Sequence, residues 1–338
     1  MEFDIFCDKV KRHVEEHYGD SKTVTLKSVI KNNGITLTGL VVAGDESNVS
    51  PTVYLEGFFD AYEEGETMSS VVSKIIEAAD RGRLNVSINI EDFTDFEKAK
   101  RNIVYKLIGH GSNAELLSKI PHIPMLDMEI VFFFLIEGAV EGNASVLITN
   151  EHAERWGTDT DELMKLAGLN TPRLLPSCVH RMEDLIREMF LENVRYKFET
   201  DHIIPGMDDG EDPEVAMNRL ADEVLGSVAD SNRCIPMFVV SNSLKYFGAA
   251  CMLYENVLSE LAKRIGDSFY LLPSSVHEFI AVGEEFVNSP EELIAMVKEV
   301  NMTQVRPDEV LTDSVYYFDK AVDKLTLAAE KKLICAER

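Results

Sequence analysis

Two β-rich runs, TVTLKSVI (23–30) and ITLTGLVV (35–42), are separated only by KNNG (31–34). No other feature constrains the fold as much. A connection this short can join only antiparallel strands, since a parallel crossover takes about a dozen residues or more. Asn33 and Gly34 supply the positive φ angles of a tight turn. Later segments repeat the pattern. MEIVFFFLI (128–136) is apolar at every position after Glu129, as expected of a strand buried on both faces, and EGAVEGN followed by ASVLIT reads as its turn and return strand. FYLL and EFIAV flank LPSSVH as another pair of strands, while TVYLE, PMFVV and VYYF read as single strands.

Helical periodicity lies between these strands without the strict alternation of a doubly wound sheet. Residues 2–18 carry Phe3, Phe6, Val10 and Val14 at helical spacing and stop at Gly19. Helices are also expected over 67–81, after a Ser112 to Glu115 capping box, over 158–170 from a box of Thr158 and Asp161, over 181–194, from Ser289-Pro290 and over 320–334. The clearest pattern is Leu244, Phe247, Cys251, Tyr254, Leu258, Leu261 and Ile265, which predicts one helix over 244–265 ending at Gly266. The fold class is therefore α+β, with mixed, largely antiparallel sheet elements and packed helices. Two lobes are expected, 1–120 and 125–338, the second with an acidic mobile loop near 199–214.

Charge excludes whole classes of partner. The chain has 33 basic and 59 acidic residues, a net of −26. Nucleic-acid affinity comes largely from cations that displace counterions, so no nucleic-acid partner is expected. Basic stretches such as KAKR at 98–101 are short. The longest apolar run, IVFFFLI, falls far short of the ~20 residues of a membrane helix. The N-terminal residues show no signal-like segment. Five scattered cysteines without a CxxC argue against a disulfide framework. The expectation is a cytoplasmic protein with reduced thiols, no membrane partner, no cofactor, and an unidentified protein or small molecule as partner.

One stretch holds the parts of a hydrolase. YLLPSSVHEFIAV (270–282) contains Ser274, Ser275, His277 and Glu278, and the candidate catalytic residues are Ser275 and His277. In a strand these two share a face and Glu278 points away, so Glu278 cannot orient His277 as the acid of a triad does. The simpler reading is a turn fixed by Pro273, with serine hydroxyls satisfying backbone groups. HVEEH (13–17) matches the pattern of a metalloprotease class but lacks a third ligand; His13 and His17 also read as extending the apolar face, and no metal is expected. The acidic loop lacks the alternation of a calcium loop. Phosphate-loop, dinucleotide and nucleophile-elbow motifs are absent from the sequence.

Five phrases, in order, carry a resemblance: KNNGITLTGL (31–40), SNVSPTVYLE (47–56), ITNEHAERWG (148–157), YFGAA (246–250) and LPSSVHEFI (272–280). Together they resemble a bacterial family known only as a domain of unknown function, over nearly the whole chain. That resemblance implies a soluble bacterial protein and transfers no catalytic residue. Two function classes stand: a non-catalytic binding or interaction protein, which is favoured, and a hydrolase-like enzyme using Ser275 and His277 with an acid from another segment.

Overall fold

The computed structural model describes residues 1–44, 52–81, 90–136, 145–201, 204–207, 211–231 and 235–330. The chain forms two compact units, Met1–Leu174 with Arg306–Thr312, and Leu175–Val305 with Asp313–Arg338. The division lies at Leu174/Leu175 rather than near residues 120–127, because strands on both sides of 120–127 pair with each other, as described next.

The first unit opens with helix α1 (Phe3–Tyr18) and strands β1 (Lys22–Ile30), β2 (Thr36–Gly44) and β3 (Thr52–Tyr54), followed by helices α2 (Glu56–Glu63) and α3 (Met68–Arg81). The expected hairpin is present, with Ile30 opposite Thr36 and positive φ at both Asn33 and Gly34. α1 and α3 cover one face of this three-stranded sheet through Phe6, Val10, Val14, Leu40, Val71 and Ile75, all fully buried. His13 and His17 do not extend the apolar stripe: both are exposed, because the buried line runs Phe6, Val10, Val14. Helices α4 (Ile90–Thr94) and α5 (Phe96–Ala99) lead into β4 (Ile103–Gly109). The Ser112 box is not formed. A short 3₁₀ turn occupies Gly111–Asn113, so Asn113 heads helix α6 (Ala114–Leu117) and its side chain is used elsewhere. β5 (His122–Met125), β6 (Met128–Leu135) and β7 (Ser145–Leu147) complete a four-stranded sheet with β4, and every residue of β6 is buried. EGAVEGN lies outside the described residues.

Helices α7 (Asn150–Trp156) and α8 (Thr160–Leu174) close the unit. At α7 the cap is reciprocal: the Thr149 hydroxyl accepts from the His152 N–H, and His152 Nδ1 accepts from the Thr149 N–H. At α8 the cap falls one residue later than the expected box of Thr158 and Asp161: it is Asp159, not Thr158, that accepts a helix N–H, from Glu162 at 2.9 Å, while the Thr158 hydroxyl donates to Glu162 Oε2 at 2.8 Å. α8 packs on β4 and is tied to it by polar side chains. Asn170 Nδ2 donates to Ile103 O at 2.9 Å, and Thr171 Oγ1 accepts from the Tyr105 N–H at 3.1 Å.

Three asparagines hold residues 306–312 against this unit. Asn113, 2% exposed, donates from Nδ2 to Asn32 Oδ1, Asn33 Oδ1 and Gly109 O, and accepts the Asn33 N–H at 2.8 Å. Asn32 and Asn33 pass the restraint on, donating to Asp308 O and Pro307 O respectively and both to Val310 O. Gly109 completes the seat, because a Cβ there would stand 2.6 Å from Leu311 O. The KNNG turn thus does two things: its backbone reverses the chain and its side chains bind a remote segment.

The second unit is built on a six-stranded antiparallel sheet in the order β13-β12-β10-β11-β9-β8. Its elements are β8 (Ser177–Arg181), α9 (Met182–Asp201), α10 (Pro213–Ser231), β9 (Met237–Asn242), α11 (Val257–Ile265), β10 (Phe269–Ser275), β11 (Glu278–Gly283), α12 (Pro290–Thr303), β12 (Tyr316–Asp319) and β13 (Lys324–Leu327). α12 begins as its sequence implies, with the Ser289 hydroxyl accepting from the Glu291 N–H and Pro290 in the first turn. α10 was not legible among the loop signals before it. Asp212 caps it, and Ile204 from the preceding loop is buried against Ala216 and Met217.

Two expected helices are corrected. Residues 244–265 do not form one helix. Phe247 and Asn256 take left-handed φ values of 56° and 66°, a 3₁₀ segment fills Gly248–Leu253, and only Val257–Ile265 is α-helical. Leu244, the first residue of the expected stripe, is 48% exposed. The three-four spacing is kept because the 3₁₀ segment also turns its apolar residues inward. At the C-terminus, 324–327 form β13 rather than part of a helix, because Lys324–Leu327 pair with β12 from Tyr316 to Asp319. All strand pairings among the described residues are antiparallel, and the fold is α+β.

Candidate functional site

The LPSSVH segment sits at the β10–β11 connection, where the register slips between Pro273 and Ser275. β11 begins at Glu278, so Val276 and His277 belong to the turn and the strand alternation expected for Ser275 and His277 does not apply. The turn brings the two residues together through the backbone. Ser275 Oγ accepts the His277 N–H at 3.0 Å, and Ser274 Oγ lies 3.4 Å from Glu278 Oε1.

The imidazole is engaged with a second loop. His277 Nδ1 accepts the Phe247 N–H at 3.1 Å, and the two rings stack at 5.6 Å and 7°. A backbone N–H can only donate, so Nδ1 is the acceptor and a neutral ring carries its proton on Nε2. That form has no lone pair left for a serine proton. This bond also helps hold Phe247 in a left-handed conformation that costs a non-glycine residue ~1–2 kcal/mol. Around it the Ser241 hydroxyl donates to His277 O at 2.7 Å and the Ala249 N–H to Val276 O at 3.3 Å. Asn242 Oδ1 accepts from the Leu244 and Tyr246 N–H groups, and its Nδ2 donates to Tyr246 O. YFGAA and LPSSVHEFI therefore form one knot of backbone and short polar side chains.

A second constellation was missed by sequence reasoning. Glu129 is the only charged residue in the buried strand β6, with its side chain 2% exposed, and it faces His110 just beyond β4. His110 Nδ1 donates to Glu129 Oε1 at 2.6 Å, while the imidazole is 67% exposed. Glu129 Oε2 is buried without a hydrogen-bond partner. A buried carboxylate on Nδ1 fixes the ring and makes Nε2 the basic nitrogen. No hydroxyl or thiol among the described residues bonds that nitrogen. The signal available in sequence was one carboxylate inside an apolar run. Its partner, 19 positions away, becomes visible only through the strand register.

Other reactive groups are held in check. Burial pushes the Cys7 thiol up to about 11 and the Cys251 thiol up to about 12, so both stay protonated and weakly nucleophilic near neutral pH. Burial, with the like charge of Lys31, lowers Lys106 to about 8. His152 is also lowered, mainly by desolvation and then by Arg155. Lys98 and Arg101 of KAKR border a cleft of about 730 Å³ together with Arg173, but acids accompany the KAKR lysines: Lys98 lies 3.6 Å from Asp92 and Lys100 2.5 Å from Glu97. No group of three or more His, Cys, Asp or Glu side chains among the described residues is placed to hold a metal ion, and His13 pairs only with Glu16 at 3.3 Å. No helix of the described residues is long and apolar enough to cross a membrane.

Neither the curated proteins nor the solved structures contain a match to this chain. A family model does match, over residues 3–320, and it spans both units and every site described above. The chain therefore belongs to DUF5688, a family of unknown function.

Proposed function

We propose that this is a non-catalytic binding or interaction protein that engages its partner through the exposed face of α9. The observation that carries the reading is the burial of that helix. None of the described side chains of α9 is buried, and Ile186, Met189 and Tyr196 are 45%, 68% and 68% exposed. They lie on one side of the helix, and exposed apolar patches rimmed by polar residues mark interaction sites. The geometry of the 273–278 turn supports the non-catalytic half. Ser275 Oγ and His277 Nδ1 each accept a backbone N–H, whereas the members of a nucleophile–base pair bond to each other.

The test is the triple variant Ile186→Ser, Met189→Ser, Tyr196→Ser. These side chains support no core, so its melting temperature is expected to match the wild type. Proteins recovered quantitatively with the wild-type chain from cells that make it natively should be lost with the variant. A folded variant that recovers the same proteins in the same amounts would overturn the assignment of this face.

A further inference from the structure

We infer that the exposed face of α9 pairs with the same face of a second copy of this chain, in antiparallel orientation about a two-fold axis near Met189. The inference rests on reading this face as an interaction surface. It begins with spacing. Met182, Ile186, Met189, Asn193 and Tyr196 recur at intervals of four and three, the a/d pattern of a helix–helix seam. The seam points away from α10. Leu191, Val194 and Phe198 pack toward Ala216, Met217 and Leu220, and at ~100° per residue the seam is centred roughly 150° around the helix from them.

The pattern is self-complementary. In an antiparallel pair centred on Met189, Met182 is level with Tyr196 of the second copy, Ile186 falls within one residue of Asn193, and Met189 meets itself. Each edge of the seam then meets its own copy. One edge carries Glu183, Phe190 and Lys197, so Glu183 comes within two residues, about 3 Å of helix rise, of Lys197 on each side of the axis, within reach of the two long side chains. The other α9 cations are already engaged within the chain, Arg187 with Asp222 at 3.0 Å and Arg195 with Glu214 at 3.1 Å. A parallel pairing would bring the two acidic first turns, Glu183 and Asp184, side by side and align the helix dipoles. One helix face of this length buries less than the ~1,200–2,000 Å² of stable interfaces, and each copy carries a net −26. The association is therefore weak and is favoured at physiological salt, where charge is screened beyond ~8 Å.

Sedimentation equilibrium of the full chain at physiological salt tests this. The wild type is expected to approach twice 38.0 kDa as concentration rises. Glu183→Lys and Lys197→Glu should each weaken association about tenfold, and the two together should restore it, because the swapped charges face each other again. Met189→Glu places two carboxylates at the axis and should leave a monomer. A monomeric wild type, a dimer that survives Met189→Glu, or a double variant no better than the singles would overturn the inference. An unaffected Glu183→Lys would contradict the antiparallel arrangement, since a parallel pair would use Glu192 against Lys197. If the wild type is monomeric while the serine triple variant still loses its recovered partners, the interaction reading stands and only the second-copy assignment falls.

Discussion

Gly248→Ala is expected to destabilise the protein by about 3 kcal/mol. A Cβ at this position would stand 2.2 Å from Ser241 Oγ, 2.5 Å from His277 O and 2.7 Å from the Asn242 nitrogen. The hydroxyl could rotate away, but only by giving up its 2.7 Å bond to His277 O. The other two atoms are backbone, belonging to the end of β9 and to the 273–278 turn, and neither can move without breaking the knot. The fall in melting temperature should be roughly 6–12 °C, taking ~2–4 °C per kcal/mol for units of this size. Gly226→Ala is the matched control. It lies within α10 with nothing inside 4 Å of the added carbon, so the better helix propensity of alanine should leave stability unchanged or higher by up to ~1 kcal/mol. Equal melting temperatures for the two variants would mean that the two loops are not knitted as described.

Asn113→Ala should cost about 3 kcal/mol, because it removes one side chain that serves four partners in a buried site. The amide orientation is fixed by chemistry. The Asn33 N–H is a donor, so the atom facing it is Oδ1, and Nδ2 faces Asn32, Asn33 and Gly109. Asn113→Asp should therefore be at least as damaging, since it sets an oxygen against those three acceptors. The loss should also be local. Asn32 and Asn33 carry the bonds to 307, 308 and 310, so amide exchange over 306–312 should accelerate in both variants before global unfolding. Unchanged exchange there in a folded variant would contradict the role given to the three asparagines.

These two sites show where the sequence was legible. The backbone reversal at KNNG was read from Asn33 and Gly34 alone, because a tight turn is a local demand. What the same asparagine side chains hold was not legible, because Asn33 and Val310 are 277 positions apart. β6 was read from its apolar run. The 244–265 stripe misleads for the opposite reason: the local pattern is present, but tertiary bonds decide the backbone. Phe247 is left-handed while His277 Nδ1 accepts its N–H, and Asn256, a residue tolerant of positive φ, marks the true start of α11. The turn reading of LPSSVH rested on Pro273 and two serines. The strand alternation used to separate His277 from Glu278 did not apply, and it is the Phe247 N–H, far along the chain, that occupies His277. Glu129 was visible as a lone charge in an apolar strand, yet nothing local named His110.

The central claim is that the serine and histidine of LPSSVH build a turn and activate nothing. Treatment of the native protein with a serine-directed fluorophosphonate, followed by mass mapping of the adduct, tests it most directly. The account predicts no adduct on Ser275, because its oxygen accepts the His277 N–H and a neutral His277 has no lone pair to take its proton. An adduct on Ser275 that disappears in a folded His277→Ala variant would contradict it and would establish an activated nucleophile.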